Sequence, residues 1–315
     1  IMGKLIIITG ATATGKSDLA VAVASELKAE IISADSMQLY KGMDIGTAKL
    51  TVEERNGIVH HMLDVVDVKE DVSVSWYQEF ARAKIDELRN QGKNVVVVGG
   101  TGLYIKAILD DLNFPETDPE VRAKLNLEAE KIGGDAMHER LSKLDPAAGL
   151  AIPKENVRRV VRALEVIEIT GKPFTAVLPR IDSSKYPDAM QFGLAMDRES
   201  LDIRIDSRVA KMWEAGFVDE VEELISQGIL EGKTAQAAIG YAQIIRMKHG
   251  SMTEVEAVED TSRATRHMHA AKRPGLAEIF ESPGLARHQI FQSARIQSYR
   301  LFSNHDWNLR TRYRK

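Results

Sequence analysis

Gly10, Ala11, Thr12, Ala13, Thr14, Gly15, Lys16 and Ser17 spell G-x-x-x-x-G-K-[ST], an order of residue types suited to wrapping a di- or triphosphate. The two glycines admit backbone conformations and a close approach that a Cβ would hinder. Lys16 is placed to neutralise a terminal phosphate, and the Ser17 hydroxyl to ligate Mg²⁺. Two further groups stand where strands are expected to end. Asp35 closes Glu30-Ile-Ile-Ser-Ala-Asp35 and can serve as a general base, or as the acceptor that orients a nucleophile beside the phosphates. Its rival roles are to cap a following helix or to hold Mg²⁺ through water. Thr101 follows Val98-Gly-Gly and can donate to a leaving oxygen or to a substrate, with helix N-capping as the alternative. Farther on, Arg204 and Arg208 lie opposite a stripe of Leu201, Ile205, Val209 and Met212, and either can stabilise charge leaving on pyrophosphate.

The elements that must position these groups are read from apolar spacing. The run 5–8 is β-branched and apolar, so a buried strand is expected. Leu19, Ala20, Val23, Ala24 and Leu27 then recur at helical spacing, and a helix starts at or near Gly15. Strand, glycine loop and helix start together aim N–H groups and the positive end of the helix dipole at an anion. A second strand ends in Asp35, and 36–49 reads as a loop with a short helix. A third strand is expected over 58–63, with His60 and His61 on opposite faces as packing or hydrogen-bonding residues. Tyr77, Phe80, Ala81, Lys84, Ile85 and Leu88 follow a helical stripe stopped at Gly92. A fourth strand spans 94–100 and a helix runs from Thr101 to Leu109. A strand over 190–195 resumes the sheet, followed by helices over 199–215 and 218–226. Such alternation, with continuous Ile and Val runs, argues for a parallel sheet covered on both faces. Ligands of such sheets sit beyond the C-terminal strand ends, so the glycine loop, Asp35 and Thr101 are expected at one crevice. The fourth strand ends without the acid that assists Mg²⁺ in P-loop ATPases, which speaks against ATP hydrolysis and leaves phosphoryl transfer open.

The chain has 315 residues, of which 44% are hydrophobic and 28% charged, a folded rather than a disordered composition. No apolar run approaches the roughly 18 residues of a membrane span, no signal peptide is recognised, and there is no cysteine, so a cytoplasmic protein is expected. A net charge of −4 conceals +8 over residues 262–315 on a body of −12, and a basic end on an acidic body suggests an anionic macromolecular partner. Between 113 and 187 the pattern becomes wholly helical. There Val157, Val160, Val161, Leu164 and Ile167 form an apolar stripe, with Arg158, Arg159 and Arg162 on the opposite side. Three guanidiniums so close together suit phosphates or a nucleic-acid backbone, and a solvated face paired with Glu155 and Glu165 is the alternative.

Taken together, the motifs resemble one family, the tRNA dimethylallyltransferases (tRNA isopentenyltransferases). The resemblance is carried by GATATGKS (10–17), SADSMQLYKGMDIGTAK (33–49), VVGGTGLYIKA (97–107), ENVRRVVRALEV (155–166), DRESLDIRIDSRVAKMWEAGFVDEV (197–221) and AIGYAQ (238–243). It implies an α/β fold: a P-loop, nucleoside-kinase-like core with a parallel sheet, plus an inserted all-helical lobe that grips the anticodon stem. It places the core at 1–112 and 188–270, the lobe at 113–187, and a divergent basic tail at 271–315. It implies transfer of a dimethylallyl group from dimethylallyl diphosphate to N6 of the adenosine beside the anticodon (adenosine 37), with release of diphosphate, by a cytoplasmic monomer using Mg²⁺. Lys16, Asp35, Thr101 and Arg208 are then the catalytic set. The tRNA-contacting set is Asp35, Ser36, Met37, Gln38, Thr101, Arg159, Val160, Val161, Arg162 and Ala163, with Gly240, Tyr241 and Arg122 added by analogy. A diphosphate held as a leaving group also accounts for the missing ATPase-type acid.

The family pattern stops near Ala271-Lys-Arg273. The remaining residues to Lys315 read either as a divergent basic arm or as an out-of-frame translation of the ordinary end. Three other activities fit parts of the pattern: an ATP-dependent small-molecule kinase, an isopentenyltransferase acting on a free adenine nucleotide, and a non-catalytic RNA-binding P-loop protein.

Overall fold

The computed structural model describes residues 2–110, 117–176, 184–194 and 196–271. Five strands form one parallel sheet in the order β3-β2-β4-β1-β5. They are β1 (Leu5–Gly10), β2 (Ala29–Ser33), β3 (His60–His61), β4 (Asn94–Gly99) and β5 (Met190–Leu194). Side chains alternate between two cores, as the two-residue period of a strand requires. Leu5, Ile7, Ile32, Val95 and Val97 pack with α2 (Val74–Asn90) and α3 (Gly102–Leu109), whereas Ile6, Ile8, Ile31, Val96 and Val98 pack with α1 (Lys16–Leu27). Covering both faces explains why the β1 and β4 sequences are apolar without alternation.

Three local expectations are corrected by the structure. The third strand is limited to His60–His61 because Met62 and Asp64 adopt positive φ (60° and 53°), which ends the extended backbone. Residues 36–49 form turns and no helix, since N–H groups of that backbone donate to Glu220, far along the chain. Phe80, expected inside the α2 stripe, is 49% exposed and lies 4.6 Å centroid to centroid from Trp76.

The chain divides into two units. One comprises residues 1–109 and 186–315, and the other Asp110–Lys185. In the first, β5 leads to α8 (Arg198–Glu214), α9 (Phe217–Ser226) and two further helices in the chain. The second contains α4 (Pro119–Ile132), α5 (Gly134–Leu144), α6 (Pro146–Ala151) and α7 (Val157–Thr170) around a core of its own that includes Leu125, Met137, Leu141, Val160 and Leu164. After α9 come α10 (Tyr241–Lys248) and α11 (Glu254–Ala271). Among the described residues, no helix is long and apolar enough to cross a membrane. The divergent tail expected from 271 lies outside the described residues from position 272 onward.

Candidate active site

The ends of β2, β4 and β1 are neighbours on one edge of the sheet, and the loops beyond them touch one another. After β1 the backbone turns through left-handed conformations at Ala13 (φ 61°) and Gly15 (φ 81°). This turn lets α1 begin at Lys16 with no side chain capping its first N–H groups. The Thr14 hydroxyl pins the loop by donating to the Ala11 carbonyl at 2.7 Å, and the Lys16 ammonium folds back to the same oxygen at 3.4 Å. Lys16 is buried, and Ser17 comes next on the first turn of α1, partly exposed. A glycine loop, an ammonium and an uncapped helix start brought together in this way are the parts that an anion cradle needs.

β4 ends in Gly99-Gly100-Thr101, and the glycines are needed for contact. A Cβ on Gly99 would lie 2.2 Å from the Ala34 carbonyl oxygen, and one on Gly100 would lie 3.3 Å from the Gly10 carbonyl oxygen. The Thr101 N–H donates to the Ala34 carbonyl (3.3 Å), and the Ser36 N–H donates to Thr101 Oγ1 (3.2 Å). Thr101 therefore ties the β4 exit to the 34–38 segment. Thr101 also stands just before α3, where its carbonyl accepts from the N–H groups of Tyr104 (2.9 Å) and Ile105 (3.2 Å), while its hydroxyl oxygen is taken by Ser36.

Asp35 is partly exposed, and its Oδ1 accepts the Met37 N–H at 3.0 Å. This Asx turn fixes the carboxylate; no helix comes after it to be capped. Beneath it, the Tyr77 hydroxyl donates to the Ser33 carbonyl (2.8 Å), and the Tyr77 and Tyr104 rings stack at 3.8 Å. Burial, with the Asp35 charge contributing, pushes both phenols above their ordinary range, so they stay protonated donors.

Arg208, on α8, reaches the same neighbourhood. Burial lowers its pKa from the ordinary value, and the Asp35 carboxylate opposes that shift, which places the two charges within each other's field. Its Nη2 lies 3.4 Å from the Thr47 carbonyl, which also accepts from Gln38 Nε2 at 3.2 Å. Arg204 makes a contact of its own, and Arg208 is the arginine whose coupling to Asp35 is seen.

The turn bearing Thr47 is held by residues to which the sequence pattern assigned no role. Glu220 of α9 accepts from the Ile45 N–H (2.7 Å), the Gly46 N–H (3.3 Å) and the Tyr241 hydroxyl (2.6 Å). Lys49 is buried and donates to the Tyr40 carbonyl (3.0 Å), Asp44 (2.7 Å) and Asp64 (2.6 Å). Lys49 lies within the 33–49 motif and Glu220 within the 197–221 motif. A charged side chain reads as solvated until its buried partners are known, so their spacing carried no signal.

Several residues expected to contact a nucleic acid are located elsewhere. Gly240 and Tyr241 are buried, and burial, with Glu220 adding to it, drives the Tyr241 hydroxyl far above its ordinary pKa. Tyr241 is thus a core donor, not a surface group. Val160, Val161 and Ala163 lie in the core of the helical unit, so their side chains are not available to a partner. In the same unit Arg159 is exposed, whereas Arg122 and Arg162 are bound to Glu165, which is buried and not solvated. Ser36, Met37 and Gln38 are partly exposed beside Asp35. His61 pairs with Glu30 at 2.6 Å and His60 with the Ile58 carbonyl at 2.9 Å; no group of three metal-ligating side chains occurs among the described residues.

A family model described as IPP transferase matches residues 38–273. A tRNA dimethylallyltransferase of Thermobifida fusca is 56% identical over 270 residues, covering 84% of each chain. Another from Streptomyces coelicolor is 52% identical over 263 residues, again covering 84% of each. Among solved structures, the tRNA isopentenylpyrophosphate transferase of Bacillus halodurans superposes with a TM-score of 0.63 at 38% identity, covering 89% of this chain and 88% of that one. A eukaryotic dimethylallyltransferase captured acting on tRNA gives 0.73 at 26% identity, covering 86% and 69%. With three quarters of its length matched by one family model and relatives above half identity, this chain belongs to the IPP transferase family.

Proposed function

We propose that this protein moves a dimethylallyl group from dimethylallyl diphosphate to N6 of the adenosine beside a tRNA anticodon. One observation carries the chemistry: the anion cradle, Asp35, Thr101 and Arg208 come from four separate parts of the chain to one edge of the sheet. The family relationship supplies the substrates.

An allylic carbon ionises readily, so the chief task is to stabilise the departing diphosphate. The N–H groups of 10–17, the Lys16 ammonium and the Arg208 guanidinium are the donors for it. The exocyclic amine of adenine is a weak nucleophile because its lone pair is delocalised into the ring. Asp35 accepts a hydrogen bond from that amine and takes its proton as the N6–carbon bond forms and the carbon–oxygen bond to diphosphate breaks. Thr101 holds the 34–38 segment so that the carboxylate and the cradle keep their spacing. Adenine reaches such an edge only if it leaves the anticodon-loop stack.

The residues suit Mg²⁺ bound mainly by substrate. Ser17 offers one hydroxyl beside the cradle, and no cage of carboxylates competes among the described residues, the arrangement in which Mg²⁺ keeps its waters and takes phosphate oxygens. When bound, Mg²⁺ would neutralise charge on the diphosphate. The tRNA backbone is assigned to Arg122, Arg159 and Arg162, and the 35–38 segment meets the substrate base. The protein acts as a cytoplasmic monomer in this reading.

The test is turnover with labelled dimethylallyl diphosphate and unmodified tRNA. Label in tRNA and none in AMP supports the assignment. Label in AMP alone would replace it with the free-nucleotide activity, and phosphate transfer from ATP would replace it with a kinase.

A further inference from the structure

Among the described residues of the helical unit, Glu165 is the most fully enclosed carboxylate, with 0% exposure, and it sits on α7 between arginines of two helices. Its Oε2 accepts from Arg122 Nε (2.9 Å) and Nη2 (2.5 Å) and forms an ion pair with Arg162 Nη1 at 3.0 Å, and its Oε1 accepts from the Asp118 N–H (3.1 Å). Three hydrogen bonds and an ion pair compensate the group, as a buried charge requires. The pairing with Arg122 is side-on. It uses Nε and Nη2 and leaves the Nη1 edge without a partner among the described residues, on a side chain 41% exposed. Arg158 and Arg159 are exposed on the first turns of α7.

A free arginine loses several rotatable bonds when it grips a phosphate. One already clamped along its Nε edge has lost that freedom on folding and presents its remaining edge at a fixed angle. We propose that Glu165 is a positioning residue: it holds Arg122 side-on so that the Nη1 edge meets a phosphodiester of the tRNA backbone. This rests on the reading of the protein as a tRNA prenyltransferase. Neither charge nor exposure alone would distinguish Arg122 from Lys124 or Arg140, which pair with Glu168 and Glu128 on the surface; the buried anchor does.

The experiment is a double-mutant cycle on full-length protein, with kcat and KM for tRNA measured for wild type, R122A, E165Q and the double variant. R122A is expected to raise KM for tRNA by about tenfold, the worth of one charge-assisted contact, with kcat and KM for dimethylallyl diphosphate held. It should also lower the slope of log KM against log salt by about one. E165Q should raise KM comparably in the wild-type background and add clearly less in the R122A background, where only its pairing with Arg162 is left to act. Independent, multiplying effects would overturn the proposal. Should E165Q fail to fold, R122K decides: it keeps the charge but not the side-on clamp, so it should behave as R122A does, and a wild-type KM would refute the idea. A wild-type protein that transfers no prenyl group to tRNA would instead refute the underlying activity.

Discussion

Replacing Asp35 by Asn removes one negative charge and turns one carboxylate oxygen into an amide nitrogen, at nearly constant shape. The oxygen that accepts the Met37 N–H at 3.0 Å can keep that bond in the D35N variant, so the 35–38 turn should survive. The second oxygen has no partner among the described residues and is the acceptor that the exocyclic amine needs. With the substitution an amide donor would face the amine, two donors with no proton acceptor between them. Loss of a positioned general base costs about 10²–10⁴ in rate, or roughly 3–5 kcal/mol of barrier. Diphosphate affinity should not fall, because Lys16, the loop N–H groups and Arg208 remain and a negative neighbour of the diphosphate is gone. The assay is single turnover with enzyme in excess over tRNA and label counted in the tRNA, after a thermal melt checks the fold. An undiminished rate at full dimethylallyl diphosphate occupancy would remove Asp35 from the chemistry. A rise in KM for dimethylallyl diphosphate that accounts for all the lost activity would reassign it to binding.

Lys16→Ala should weaken dimethylallyl diphosphate binding as well as transfer, and a normal KM for that substrate would count against the cradle. Glu220→Gln sets an amide donor against one of the Ile45, Gly46 and Tyr241 donors, so about 1–3 kcal/mol of stability should be lost. Through Thr47, which anchors Arg208, KM for dimethylallyl diphosphate should rise too; an unchanged melt and KM together would refute this. Asp145 tests the acid limb of stability. Burial alone would raise its pKa, but hydrogen bonds from the Thr175 N–H (2.8 Å), the Thr175 hydroxyl (2.9 Å) and the Ala148 N–H (3.1 Å) win, and the folded value is lowered from 3.8. A depressed folded pKa gives stability that is present above the unfolded value and lost as pH falls through the folded one. Asp145→Asn should therefore destabilise at neutral pH and flatten the loss of stability below about pH 4; parallel pH curves for the two proteins would contradict this.

The sequence determined the parts whose physics is local. An apolar run and a helical stripe on either side of a glycine loop can fold only as strand, turn and helix, and the loop then presents N–H groups to an anion whatever surrounds it. The same reasoning located Asp35 and Thr101 at strand ends, and α1, α2, α3 and α7 within a few residues of their bounds. It could not decide which charged residues face water, because a side chain's partner is chosen by elements far away in the chain. Arg204 and Arg208 are equivalent by spacing, and only packing puts Arg208 within the field of Asp35 and beside the Thr47 carbonyl, 161 residues away. Glu165 reads as a surface counter-ion, yet α4 folds over it and delivers Arg122 across 43 residues. Val160, Val161 and Tyr241 looked like contacts within recognised motifs and are core. The 36–49 segment gave up its expected helix because Glu220, 174 and 175 residues on, supplies acceptors that a helix would have taken from its own backbone.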